Sequence, residues 1–165
     1  MSFLFIGSTG DRAGHSLITW SLAIMLKERG VTVGFMKPFG THPINLKGVW
    51  TDHDAFLLRE VLNLREPLDR ICPYPLLKED LKEKAAGEII DDLKSSAQAL
   101  SRKKDILLIM GSKHIFFDDA SCPVPDISLA NELKADFVLI NRFRKSSRSI
   151  YSILSVKSML KKKFK

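Results

Sequence analysis

The stretch SFLFIGSTGDRAGHSLITWSLAIM, residues 2–25, sets the reading of the whole chain. Phe3, Leu4, Phe5 and Ile6 form a short apolar run, as in a strand covered on both faces. A glycine-containing loop follows at residues 7–14, and His15-Ser16 opens an apolar helical run over residues 17–26. Strand, glycine loop and helix start are the layout of a phosphate-binding loop. The loop's backbone N–H groups and the positive end of the helix attract anions. Such loops usually end Gly-Lys-Ser/Thr, the lysine reaching the β/γ-phosphates and the hydroxyl ligating Mg²⁺. This one ends Gly14-His15-Ser16: the loop architecture is present and its lysine is not.

Outward from that stretch, Arg29-Gly30 stops the helix. Residues 31–36 read as a second buried strand, halted at Lys37-Pro38 because proline ends the pairing. Residues 39–51 carry Gly40, Pro43 and Gly48 and read as a loop. Thr51 is the expected N-cap, with Asp54 third after it, of a helix over residues 55–64. Pro67, Pro73 and Pro75 predict an extended connector over residues 66–77. Residues 79–101 form the clearest amphipathic helix, with Leu81, Ala85, Ile89, Leu93, Ala97 and Leu100 on one face. A strand over residues 105–110, a loop to residue 126, a short helix over 127–134 and a strand over 137–140 follow. The last helix spans 147–163, with Ile150, Ile153, Leu154 and Leu160 expected toward the core.

Strands alternating with helices predict an α/β fold of three layers, a mostly parallel sheet between helices. At 165 residues the chain fits one domain, 1–165, ending in a basic tail at 157–165. Ligands of such sheets bind beyond the carboxyl ends of the strands. The loops to watch are 7–16, 37–54, 110–126 and 141–147.

Charge and cysteines exclude several functions. The net charge of +7 is concentrated at one end, with nine Lys or Arg and no acids from Arg142 onward. The remaining 17 basic residues against 19 acidic ones leave about −2, which disfavours nucleic acid as the domain's partner. The tail Lys161-Lys162-Lys163-Phe164-Lys165 has no aromatic stacking platform and reads as a solvated end. No segment has the ~20 apolar residues of a membrane span, and Met1-Ser2-Phe3 does not open a secretory signal. Cys72 and Cys122 read as free thiols of a cytoplasmic protein. His15, His42, His53 and His114 offer no pair with each other or with a cysteine at zinc spacing.

The segments FIGSTGDRAGHS (5–16), GFMKPFG (34–40), TDHDAFLLREVLNL (51–64), CPYPLL (72–77), DILLIMGS (105–112) and LANELKADFVLINRFR (129–144) carry a family resemblance. In order and spacing the chain resembles the dethiobiotin synthetase-like family of P-loop proteins over residues 3 to 160. It is nearest to the version at the N-terminus of phosphate acetyltransferase-type multidomain proteins. The resemblance implies the P-loop NTPase-like fold, shortened at its C-terminal side, with ATP and Mg²⁺ as cofactors. It implies that Gly10, Asp11, Arg12, Ala13, Gly14, His15 and Ser16 cradle phosphate. Lys37, ahead of Pro38, adds a cation for phosphate or carboxylate. Ser16 and Asp54, with Asp52 nearby, would hold Mg²⁺. Two positions depart from the family: His15 replaces the loop lysine, and Met110-Gly111 replaces a Glu-Gly pair whose carboxylate faces the metal.

Those departures weigh on the chemistry. Imidazole, with an ordinary pKa of about 6.5, is a poor substitute for lysine at a polyphosphate. Arg12 could restore the charge, so Arg12 and Lys37 are the catalytic candidates. Methionine cannot ligate Mg²⁺, and Met110 reads first as a core residue closing its strand. Asp52 and Asp54 read equally as Mg²⁺ ligands and as acids favouring a helix N-terminus. The expected function is a degenerate module binding a nucleotide or another phosphate-bearing anion, or regulating a partner protein, with ATP and Mg²⁺ held weakly or lost. The alternatives are an ATP-dependent ligase activating a carboxylate, and a dimerisation module. A homodimer is the expected assembly.

Overall fold

Four runs rich in apolar residues pair side by side; three are largely buried and the fourth, at the sheet's edge, is half-buried. The computed structural model describes residues 2–10, 13–76, 84–112, 115, 124–142 and 146–159, with backbone alone at 146–148. The chain begins with β1 (Ser2–Ser8), α1 (His15–Glu28) and β2 (Val33–Met36). Three short strands follow, β3 (Phe39–Gly40), β4 (Pro43–Leu46) and β5 (Val49–Asp52), then α2 (His53–Leu62), α3 (Leu68–Ile71) and β6 (Tyr74–Pro75). It continues with α4 (Ala86–Leu100), β7 (Ile106–Met110), α5 (Asp126–Glu132), β8 (Asp136–Ile140) and α6 (Ser146–Met159).

The main sheet has the order β2-β7-β1-β8 and is parallel throughout. Its centre is closed to solvent: Phe5, Ile6, Phe35, Met36, Leu107, Leu108 and Ile109 are all fully buried. Phe5 stacks on Phe137 of β8 at 5.5 Å between ring centroids. The helix α1 packs on β7 and on α2, while α4 packs on β2 and α3. Of the stripe expected on the long helix, Ile89, Leu93, Ala97 and Leu100 are buried. Ala85 is its exposed N-cap, and Leu81 lies outside the described residues.

Four expectations are corrected. Residues 39–51 are not a plain loop: β4 and β5 form an antiparallel hairpin. Lys47 (φ 53°) and Gly48 (φ 90°) both take positive φ at its tip, as a type I′ turn requires. Lysine in the place that usually holds Asn or Asp hides this turn from the sequence. The connector contains the helical turn α3, and its β6 pairs in parallel with β3. The N-cap of α2 is Asp52 rather than Thr51; its side chain accepts from the Asp54 N–H at 2.8 Å. Thr51 is buried in β5 instead.

The last correction concerns α6. Ile150 is 56% exposed, and Ile153 and Leu154 face outward with it. Ser149 and Val156 point in, and Val156 joins Ile115 and Ile127 in a small satellite core. The helix is turned about 100° from the orientation its apolar residues suggest, one residue's step around the helix. Leu160 lies outside the described residues.

Truncating Leu93, fully buried, to Ala is expected to cost roughly 2–5 kcal/mol in urea unfolding. Leu154→Ser is expected to stay within about 0.5 kcal/mol of the wild type, as at other surface positions. An inward-facing Leu154 would show a loss close to that of Leu93→Ala.

Candidate functional site

The chain leaves β1 toward β2 on one side and leaves β7 toward β8 on the other. Adjacent parallel strands whose connections part in this way open a crevice at their carboxyl ends. The glycine loop after β1 borders that crevice. Gly14 closes the loop in the left-handed region at φ 103°, where a side chain would be strained. His15 is the first residue of α1 and is buried. The loop is tied to β8: Thr9 N–H donates to the Ile140 carbonyl at 3.1 Å, and the Thr9 hydroxyl donates to Asn141 Oδ1 at 2.5 Å.

Lys37 follows β2 directly. Its backbone N–H donates to the Ile71 carbonyl at 2.8 Å, and the residue is only 1% exposed. A buried ammonium is costly unless paired. Lys37 Nζ lies 3.0 Å from Asp52 Oδ1 and 2.8 Å from Asp54 Oδ2. Asp54 Oδ2 also accepts from Ser16 Oγ at 3.0 Å. Asp52 is fully buried and accepts from the N–H groups of His42 and Asp54, each at 2.8 Å. Burial alone would raise the Asp54 pKa, but the Lys37 charge and the hydrogen bonds from Lys37 and Ser16 outweigh it and hold the carboxyl below its ordinary range.

The donors around Nζ are hard oxygens, the type Mg²⁺ takes. Ser16 Oγ and the Asp52 and Asp54 carboxylates are thus of the kind that fits a divalent cation, and the two carboxylates are paired with the Lys37 ammonium. Soft-metal sites find no such support: among the described residues no three His, Cys, Asp or Glu side chains gather as a metal cluster. Cys72 is buried in this neighbourhood, and its thiol is pushed up by burial and then by the Asp52 charge, so it is poorly nucleophilic. Gly40 lets the layers meet, since a Cβ there would come within 2.8 Å of both Asp52 Cβ and Cys72 Sγ.

The structure thus brings together Ser16, Lys37, Asp52 and Asp54. Gly10, Ala13, Gly14 and His15 lie along the same loop. Asp11 and Arg12 lie outside the described residues, as do Lys113, His114, Cys122 and tail residues 160–165. Met110 is 2% exposed and ends β7 opposite Ile6, a core position as expected.

One residue escaped the sequence reading. Asp126, at the start of α5, is 1% exposed. Its Oδ2 accepts from the Ser112 N–H at 2.8 Å and from Ser112 Oγ at 3.3 Å, while Oδ1 has no hydrogen-bond partner among the described residues. It pins the first turn after β7, beside the crevice. Burial raises its pKa to about 7, against the lowering effects of the Ser112 hydrogen bonds and the Lys37 charge. The only sequence signal was an acid at a helix start, which is ordinary.

The folded Asp126 carboxyl holds its proton more tightly than the unfolded one. Its contribution is therefore full at acid pH and is lost as pH rises from the ordinary carboxylate range to about 7. Asp126→Asn should raise the melting temperature at pH 8 by about 3 °C or more. At pH 5 the gain should shrink toward zero. An equal shift at both pH values in scanning fluorimetry would refute the assignment.

Comparison with known proteins gives the family. The dethiobiotin synthetase BioD of Methanocaldococcus jannaschii is 28% identical over 118 residues, covering 66% of this chain and 51% of that protein. That of Thermodesulfovibrio yellowstonii is 28% identical over 113 residues, 65% of this chain and 47% of the relative. That of Ruthia magnifica is 33% identical over 76 residues, 46% and 35% of the two chains. Each is named an ATP-dependent dethiobiotin synthetase. The chain spans about half the length of the first two relatives. The family model described as an AAA domain, AAA_26, matches residues 3–164, from the first strand through the last helix, and to that family of P-loop proteins this chain belongs.

Proposed function

We propose that this chain is a nucleotide-binding module of dethiobiotin synthetase type with little or no ATP hydrolysis. The observation that carries it is the meeting of Ser16, Lys37 and Asp54 within hydrogen-bond distance at the carboxyl edge of the sheet. Loop residues 10–16 and the N-terminus of α1 receive the phosphates of a nucleoside triphosphate or another phosphate-bearing anion. Lys37 supplies the full positive charge. Ser16, Asp54 and Asp52 hold Mg²⁺, which when bound neutralises phosphate charge and orients the phosphates. Preorganised charge at the transferring group is most of what phosphoryl-transfer sites contribute. His15 and Met110 stand where the family places a lysine and a carboxylate, so binding is retained and turnover falls. A place at the N-terminus of a phosphate acetyltransferase-type protein, which the sequence resemblance implies, would suit such a module regulating or docking beside a partner.

The second reading is an ATP-dependent ligase that activates a carboxylate. The printed activity of the relatives and the retained Ser16, Lys37 and Asp54 favour it. Arg12 and Lys37 would then share the work of the loop lysine. A homodimer belongs with either reading, since α1 leaves Leu17 70% exposed and Trp20 and Met25 open beside it.

Calorimetric titration with ATP and Mg²⁺, paired with a phosphate-release assay, separates the two. Binding is expected with turnover at least a hundredfold below ~1 s⁻¹, an ordinary enzyme rate. His15→Lys should tighten ATP binding tenfold or more, and Ser16→Ala should abolish its Mg²⁺ dependence. Release near 1 s⁻¹ in the wild type, lost in Arg12→Ala, would establish the ligase and end the first reading. Light scattering at twice the 18.6 kDa chain mass would confirm the dimer.

A further inference from the structure

The Lys37 ammonium lies against both carboxylates that a divalent cation would take as ligands. Nζ is within 3.0 Å of Asp52 Oδ1 and 2.8 Å of Asp54 Oδ2, and Ser16 Oγ reaches the same Asp54 oxygen. All three side chains proposed for Mg²⁺ are thus engaged by, or bonded next to, an internal cation. Asp52 is fully buried and Lys37 almost so, which leaves little room for a metal and an ammonium together. Two like charges at that separation in a buried site also repel strongly.

From this we infer that Lys37 is an internal competitor of the metal and imposes an order of binding. It rests on the nucleotide-binding reading above for its second half. Before an anion arrives, the ammonium satisfies both carboxylates and the free protein excludes divalent cations. An incoming polyphosphate offers the ammonium a more highly charged partner at the mouth of the same crevice. Lys37 then turns from the carboxylates to the phosphate, and the vacated oxygens of Ser16, Asp52 and Asp54 become ligands. Anion binds first and metal second. The Asp52 carboxylate is held in place whichever cation is present by its other bonds, from the His42 and Asp54 N–H groups.

The test uses Mn²⁺ as the probe, read by electron paramagnetic resonance and by melting temperature, without any nucleotide. The wild type should bind Mn²⁺ no better than about millimolar. Lys37→Met should bind one Mn²⁺ at least tenfold more tightly, and adding Asp54→Asn should remove the gain. Should Lys37→Met be unfolded alone, because two buried carboxylates are left unpaired, Mn²⁺ should restore its folding transition while leaving the wild type unmoved. No tightening and no rescue in Lys37→Met overturns the competition, as does tight Mn²⁺ binding by the wild type. Inorganic triphosphate tests the order: in the wild type, Mn²⁺ should raise the melting temperature further only once triphosphate is present. A triphosphate shift that Mn²⁺ leaves unchanged overturns the order. Failure of triphosphate to bind at all ends the nucleotide reading, and the Lys37→Met comparison still decides the competition.

Discussion

A lysine ammonium almost sealed from water is tolerated only where fixed negative charge meets it, and much of the segment between β2 and α2 supplies that charge. The β4–β5 hairpin carries Asp52 to its end by pairing it with Pro43. Asp52 then caps α2, which fixes Asp54 one turn-step further on. The turn α3 returns the Ile71 carbonyl to the Lys37 N–H, so the backbone beside the ammonium is held as well. Gly40 and the small Cys72 side chain let these layers close around it. Remove the ammonium and the hairpin end and the α2 cap lose the group that both approach.

How far the sequence reveals this depends on the range of the forces involved. The main sheet was legible because β1, β2 and β7 are continuous apolar runs, and α4 because its apolar residues recur at the helical period. The hairpin was not legible, since its turn is made by Lys47-Gly48 and its strands have four residues each. Nor was the orientation of α6. Its apolar residues are spread over most of the helix surface, so periodicity does not choose a face. The choice falls to Val156 meeting Ile115 and Ile127, which is a tertiary event.

The candidate site divides along the same line. Ser16 follows a glycine loop and Lys37-Pro38 ends a strand, so both could be placed at the carboxyl edge from local pattern alone. That Asp52 and Asp54 would both turn onto Lys37 could not, because it follows from the hairpin. Asp126 is the clearest case of a hidden residue. Nothing around it in the sequence marks a fully buried carboxyl; its setting arises from Ser112, fourteen positions earlier, closing over it.

The two departures from the family pattern are of opposite charge, and that bears on why the fold survives them. A loop lysine contributes one positive charge to the crevice and a strand-end glutamate one negative charge. In that pattern, replacing one by His15 and the other by Met110 removes one fixed charge of each sign from the site. Met110 and His15 are both buried, so each position now contributes packing where a charge would need solvation or a counter-ion. Among the described residues the set is one cation against two carboxylates, with Ser16 bonded to the second. Each charge there has a partner within the protein, and a ligand that separates them would be offered both.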